Sequence, residues 1–337
     1  MSAVRSSPHL GVPPSVSGVM RDVLLALIPG VLLYVAWFGP SVLVSISLAV
    51  VAALATEAAL LRARGRALKP FLGDLSAVVT AVLLALALPP SAPWWIPVLG
   101  AVFAISLGKQ VFGGLGYNPF NPAMVGYIVL LISFPAEMTI WPAAAPLWGE
   151  AAAAPISAAF SGVDGWAGAT ALDQARTQLG LGLTLTEIRE LPAHGLLAGR
   201  GWEWVSLGFL AGGLWLLWRR HIGWQIPVGV LAGLCAFALL FWLIDSDRYA
   251  SPLFHAVGGA TLLGAFFIAT DPVSAATTPR GRLLFGLGIG ALTYIIRTWG
   301  GYPDAIAFAV LLMNIAVPLI DRYTKPRVFG QVRREQL

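Results

Sequence analysis

Two threonines sit in settings where a hydroxyl could do work. Thr170 lies in the run DGWAGATALDQAR (164–176), headed by Asp164 and flanked by Gly168 and Ala169. A threonine hydroxyl is a weak nucleophile that forms an ester only when something else activates it. Its ordinary role at this spacing is a helix cap. Thr170 precedes Asp173 by three positions and Thr184 precedes Glu187 by three, so each begins a capping box. A second pair of candidates is Asn118-Pro119 and Asn121-Pro122, which open an apolar run. Proline suits the first turn of a helix and Asn caps its free N–H groups. The same helix start could also turn its positive dipole end toward an anionic or electron-rich ligand. Asn121-Pro122-Ala123 resembles the pore motif of water channels, but those use two copies and this chain has one. Four scattered histidines give no metal-ligand spacing, and the single Cys235 excludes a disulfide framework.

The elements that must position these residues are membrane helices. Of the 337 residues 58% are hydrophobic and 11% charged, against about 25% charged in soluble domains. So little polar surface cannot cover a water-soluble globule, and the chain reads as an all-α polytopic membrane protein. A span needs about 20 apolar residues. Ten runs qualify, near 23–38, 41–61, 74–89, 94–112 and 121–134, then 202–218, 223–243, 254–270, 282–298 and 303–320. No small-residue cleavage site follows the first run, so it reads as a retained helix after a cytoplasmic tail over 1–20. The two five-helix halves (21–134 and 202–320) flank a polar Pro/Gly/Ala-rich loop over 135–201, and 321–337 forms a second tail.

Charge fixes the orientation. With a cytoplasmic N-terminus, 16 of the 21 Lys and Arg residues fall on the inner side and 5 on the outer. Both termini are therefore expected in the cytoplasm and the 135–201 loop outside it. Topology accounts for the basic residues, and no nucleic-acid partner is expected. Five spans per half also force the halves into opposite topology. The sequence echoes this: SAVVTAVLLALALPPSAP (76–93) resembles GATLLGAFFIATDPVSAATTP (259–279), and GGLGYNPFNPA resembles GGYPDAIA some 25 residues later in each half.

Three segments carry a specific resemblance: GGLGYNPFNPAMVGY (113–127), DGWAGATALDQA (164–175) and TDPVSAATTPRGRLLFGLGIGALTYIIRTWGGYPDAIAFAVLLMN (270–314). In order and over nearly the whole chain they resemble the RnfD/NqrB family. RnfD proteins belong to Rnf electron-transport complexes, and their relative NqrB belongs to the sodium-translocating NADH:quinone reductase. The resemblance implies a ten-helix subunit of a bacterial inner-membrane oxidoreductase. It implies FMN joined by a phosphoester to Thr170, placed there by a separate flavin transferase with Mg²⁺. Asp164, Gly168 and Ala169 are the motif positions around the attachment point. The family often has a hydroxyl residue where this chain has Ala167. It further implies a second, non-covalent flavin (riboflavin), for which Asn121, Thr270, Asp271, Pro272 and Thr277 form the candidate region. Expected partners are the iron–sulfur and flavin subunits of the complex, together with the lipid bilayer. Trp166, Trp202 and Trp204 could contact a flavin ring, although tryptophans also form interfacial belts.

Buried charge in a bilayer is costly, about 2.5–3.5 kcal/mol on insertion scales. Glu57, Asp74, Lys109, His255 and Arg297 all fall near span ends, where they are expected to snorkel, so no carboxylate pathway for an ion is foreseen. Competing readings are the quinone-reductase subunit, a solute channel or transporter with inverted repeats, and a passive anchor. The relative in the quinone reductase usually has more than the roughly 20 residues that precede the first span here, which favours the Rnf reading.

Overall fold

The computed structural model describes residues 15–144, 146, 167–168, 170–302 and 304–326, with backbone only at 167–168. It is nearly all helix. The first part runs α1 (Val16–Phe38), α2 (Ser41–Ala63), α3 (Leu68–Leu72), α4 (Ser76–Ala87), α5 (Trp95–Ile105) and α6 (Pro122–Ser133). A π turn, Ser106–Gln110, extends α5. Next come α7 (Pro135–Thr139), strands β1 (Trp141–Pro142) and β2 (Ala167–Gly168), α8 (Ala171–Gly180) and α9 (Leu185–Arg189). The last part runs α10 (Trp202–Trp218), α11 (Gln225–Ile244), α12 (Pro252–Val257), α13 (Thr261–Leu263), α14 (Pro279–Trp299) and α15 (Ile306–Thr324). A second π turn, Gly264–Ile268, extends α13.

This is a multi-pass membrane protein. Among the described residues α1, α2, α11 and α15 are long and apolar enough to cross a bilayer, and α4, α5 with its π turn, and α6 are shorter apolar helices. Their outward faces carry exposed Leu32, Val51, Ile132, Leu243 and Ile315. Large apolar side chains turned outward on helix after helix suit lipid, since water would penalise each one.

Small residues set the packing. Gly208 and Gly212 of α10 lie against Gly30 and the Ala26 carbonyl of α1. Gly229 and Gly233 of α11 meet Gly286 and the backbone of Leu287 on α14. An added Cβ at any of these four positions would strike main chain, so glycine permits the close backbone approach that holds membrane helices together.

Two expected boundaries shift, each for a local reason. The first helix starts at Val16 rather than near 23, because the Ser15 side chain accepts from the Gly18 N–H and caps it. The expected span 254–270 is broken rather than continuous. Arg297 donates to the carbonyls of His255 and Gly258, at 2.9 and 3.3 Å, and Asp304 accepts from the Ala260 N–H at 2.7 Å. Those groups are the ones a continuous helix would bond internally, and Gly259 makes the bend at φ +60°.

The expectation that span-end charges snorkel is corrected outright for four of them. Glu57, Lys109, Arg297 and His255 are buried. Lys109 Nζ pairs with Glu57 Oε1 at 2.6 Å and donates to Ser76 Oγ at 2.7 Å. Arg297 pairs with Asp304 at 2.9 Å. The first pair joins α2 to the π turn after α5 and the second ties α14 to the loop before α15, which lowers the cost of keeping the charges from water and makes escape to the surface unnecessary.

Candidate functional site

Thr170 is the N-cap of α8. Its hydroxyl accepts from the Asp173 N–H at 3.2 Å, and its backbone is extended. Thr184 caps α9 in a full box, accepting from the Glu187 N–H while the Glu187 carboxylate accepts from the Thr184 N–H at 2.8 Å. These bonds hold the Glu187 carboxyl below its ordinary range. The strand pair aims the first threonine. Trp141 faces Gly168 and Pro142 faces Ala167 in antiparallel register, so the chain reaches Thr170 already anchored to the segment that follows α7. Gly168 thus serves as a strand residue. Asp164, Trp166 and Ala169 lie outside the described residues.

Thr170, half-buried, lines a first cavity. This cavity spans about 1110 Å³ including its open mouth. Its walls carry the rings of Tyr127, Trp141, Trp202, Phe254 and Tyr302, with Asp304 at the edge. Trp202 is braced by Phe38, at 4.4 Å between ring centroids, and edge-on by Tyr34 and Trp141 at 5.2 Å each. It is a cavity residue rather than a belt residue, whereas Trp204 is half exposed.

The donor set fits a tethered flavin phosphate. An apolar chamber walled by aromatic rings would suit a flavin ring, and the first N–H groups of α8 lie beside the Thr170 hydroxyl. A phosphate ester on that hydroxyl would meet the helix N-terminus, the ordinary place for an anion. Cap and tether are therefore compatible, because phosphate oxygens can take over the acceptor role that the free hydroxyl plays.

A second cavity spans about 800 Å³ and brings together Asn121, Thr270, Asp271, Lys109, Asn118 and His221. Thr277 is not with them; its N–H and hydroxyl go to Asp321, the hydroxyl at 2.9 Å. Most of the assembled polar atoms already have partners. Asn121 Oδ1 caps α6 by accepting from the Met124 N–H, Nδ2 donates to the Ile268 carbonyl, and its backbone N–H donates to Asn314. Thr270 donates to the Phe266 carbonyl, and Asp271 accepts from Ser274. The two cavities stand back to back. Leu263 of α13 and Ile268 of the π turn face the first one while Phe266 and Phe267 of that turn face the other, and Met124 and Ala123 divide likewise. The π turn is the partition.

Over residues 3–330 the sequence matches the model of the family described as NQR2, RnfD, RnfE. The chain belongs to that family. It is 56% identical over 327 residues to the D component of the ion-translocating oxidoreductase complex of Ectopseudomonas mendocina (strain ymp), covering 96% of this chain and 95% of the relative. It is 53% identical over 335 residues to the protein of the same description from Pseudomonas paraeruginosa (98% and 96% covered). Against the one from Escherichia coli O7:K1 identity is 49% over 347 residues (97% and 98% covered).

Within this family member, sequence reasoning missed Tyr127, Trp141, Tyr302 and Asp304 as cavity residues. Tyr302 and Asp304 stand in the Gly-Gly-Tyr-Pro-Asp stretch that echoes the first half, and the clustering of that motif was the available signal. Lys109 was visible only as a charge near a span end.

Proposed function

We propose that this chain is the membrane electron-transfer subunit of an Rnf-type ion-translocating ferredoxin:NAD oxidoreductase, carrying FMN by a phosphoester on Thr170. The observation that carries the reading is the position of that hydroxyl on the wall of an aromatic chamber, at a helix N-terminus. Bound there, FMN supplies one- and two-electron redox chemistry. The chain's own residues do the rest. The N–H groups of α8 hold the phosphate, Trp202 and Trp141 give the ring flat apolar contact, and the β1–β2 pair fixes the tether. Asp304, neutralised by Arg297, keeps the rim polar without adding free negative charge beside an electron-rich ring.

The second cavity is the place for a non-covalent riboflavin, with Asn121, Thr270 and Asp271 in its wall. Ten spans in two inverted halves fit the pairing of elements, since α1 packs on α10 while α2 with α5 mirrors α11 with α14. With the termini in the cytoplasm of a bacterial inner membrane, the Thr170 chamber opens on the opposite face. Partners are the iron–sulfur and flavin subunits of the complex, and a flavin transferase matures it. The aromatic partition between the cavities argues against the solute-channel reading.

Co-expression with a flavin transferase followed by denaturing electrophoresis tests the attachment. A band fluorescent under ultraviolet light, lost in Thr170→Ala and kept in Thr184→Ala, is the expected result. A dark wild-type band contradicts it.

A further inference from the structure

The turn between α10 and α11 holds a dyad to which the flavin ester gives no role. His221 Nε2 lies 2.7 Å from Asp22 Oδ2 on α1, and Arg219 binds the same carboxylate oxygen at 2.9 Å. Asp22 is buried and the His221 side chain is only 11% exposed, yet Arg219 beside them is 47% exposed. The ring is thus one residue from solvent on one side and lines the second cavity on the other. Asp22 accepts, so Nε2 carries its hydrogen in either protonation state. The second nitrogen, Nδ1, is bare in the neutral ring and carries a proton in the imidazolium. A carboxylate that fixes one imidazole nitrogen and leaves the other for proton transfer is the arrangement general acid–base chemistry requires.

We propose that His221 is the proton donor to the redox-active ring held in the second cavity, with Asp22 as its positioning residue. This rests on the reading that a flavin occupies that cavity. When an electron reaches that ring from the complex's own donors, the N–H bond at His221 Nδ1 breaks and a new N–H bond forms on a reduced ring nitrogen. The electron pair of the broken bond stays on Nδ1, leaving neutral His221 still bonded to Asp22. Water at the Arg219 side restores the proton. The other polar groups serve this less well: Thr270 commits its hydroxyl hydrogen to a carbonyl, the Asn121 side chain is a neutral amide rather than an acid, and Lys109 is held by Glu57 and Ser76. The charged groups around the dyad are Arg21 and Asp22 on α1, Arg219 and Arg220 in the turn, Lys109 and Asp271 across the cavity, and Arg282 beside Gly223.

The test uses the purified complex with both flavins and follows each flavin's reduction by rapid-mixing absorbance, in H₂O and D₂O. In His221→Gln, which keeps a donor for Asp22, the second flavin should be reduced at least about tenfold more slowly. Added imidazole should restore the rate, and the flavin on Thr170 should be unaffected. Infrared difference spectra with ring-labelled histidine should show a reduction-linked imidazole band that this variant loses. If the variant fails to assemble, Asp22→Asn retains the ring, and the same band should shift and the rate fall. Wild-type rates with full flavin content and an unchanged band overturn the proposal alone. A wild-type complex without a second flavin overturns the occupancy reading and the proposal with it.

Discussion

Lys109 Nζ lies 2.6 Å from Glu57 Oε1, and both side chains are sealed from solvent inside the helix bundle. Gln110 adds a hydrogen bond to the same oxygen at 2.8 Å, while Glu57 Oε2 has no partner among the described residues. The carboxylate is thus held through one oxygen, by Gln110 and by a lysine that lines the second cavity. Removing the cation leaves a buried charge uncompensated, which costs about 3–5 kcal/mol. Lys109→Met should therefore lower folded yield sharply in detergent, whereas the double replacement Glu57→Gln with Lys109→Met should recover most of it. Thermal unfolding of the wild type and both variants measures this, and a double variant as unstable as Lys109→Met would refute the pairing argument.

The close crossings of α1 with α10 and of α11 with α14 make a packing prediction. Gly212→Leu and Gly290→Leu force side chains into facing main chain, at a cost of about 1–3 kcal/mol or more. Gly180→Ala, at a position with open space around it, should be neutral or mildly stabilising. Melting temperatures in one detergent separate the three, and equal effects would contradict the described crossings.

His194 gives a pH dependence. Its ring stacks on Phe254 at 6.0 Å, and burial, then the neighbouring Arg189, pushes its pKa below the ordinary 6.5. A depressed folded-state pKa means the unfolded chain binds the proton more readily. The contribution is present above about 6.5 and is lost as pH falls through the lower folded-state value. Hydrogen exchange in residues 185–200 should therefore quicken as pH drops below 6.5, after correction for intrinsic rates, and His194→Gln should abolish that dependence. An unchanged pH profile in the variant rules the histidine out.

Capping separates the two threonines. Thr184→Ala should cost about 0.5–2 kcal/mol by removing the hydroxyl that accepts from the Glu187 N–H, while the backbone N–H at 184 still donates to the Glu187 carboxylate. Thr170→Ala should cost a similar amount in flavin-free protein. In flavin-loaded protein its cost should be larger, because the tether and the cap are lost together. Comparing the melting shifts of the two variants with and without the transferase checks the claim.

What the sequence made legible was local. Apolar runs located most of the helices, missing the early start of α1 and the break after α12, and threonine followed three residues later by an acid located the caps of α8 and α9. Asn121 was recognisable as a cap because Pro122 follows it and an apolar run begins there. Tertiary pairing was not readable. Glu57 and Lys109 lie on different helices, and nothing in the periodicity of either says that they meet. The break after α12 was hidden because Arg297 and Asp304, which take over its backbone groups, belong to a later segment. Thr270, Asp271 and Thr277 looked like one cluster in TDPVSAATTP. The turn that follows Asp271 keeps the first two at the cavity and sends Thr277 to Asp321. The walls of the chamber beside Thr170 come from segments spread between residues 86 and 307, so no local pattern could show that they meet.

The central claim is the flavin ester on Thr170. Proteolysis of the native complex followed by mass spectrometry of the peptide that contains residues 164–176 tests it directly. The account predicts that this peptide carries the mass of FMN less one water, with fragmentation placing it on Thr170. A peptide recovered unmodified from fully active complex, or modified at another residue, would contradict the account.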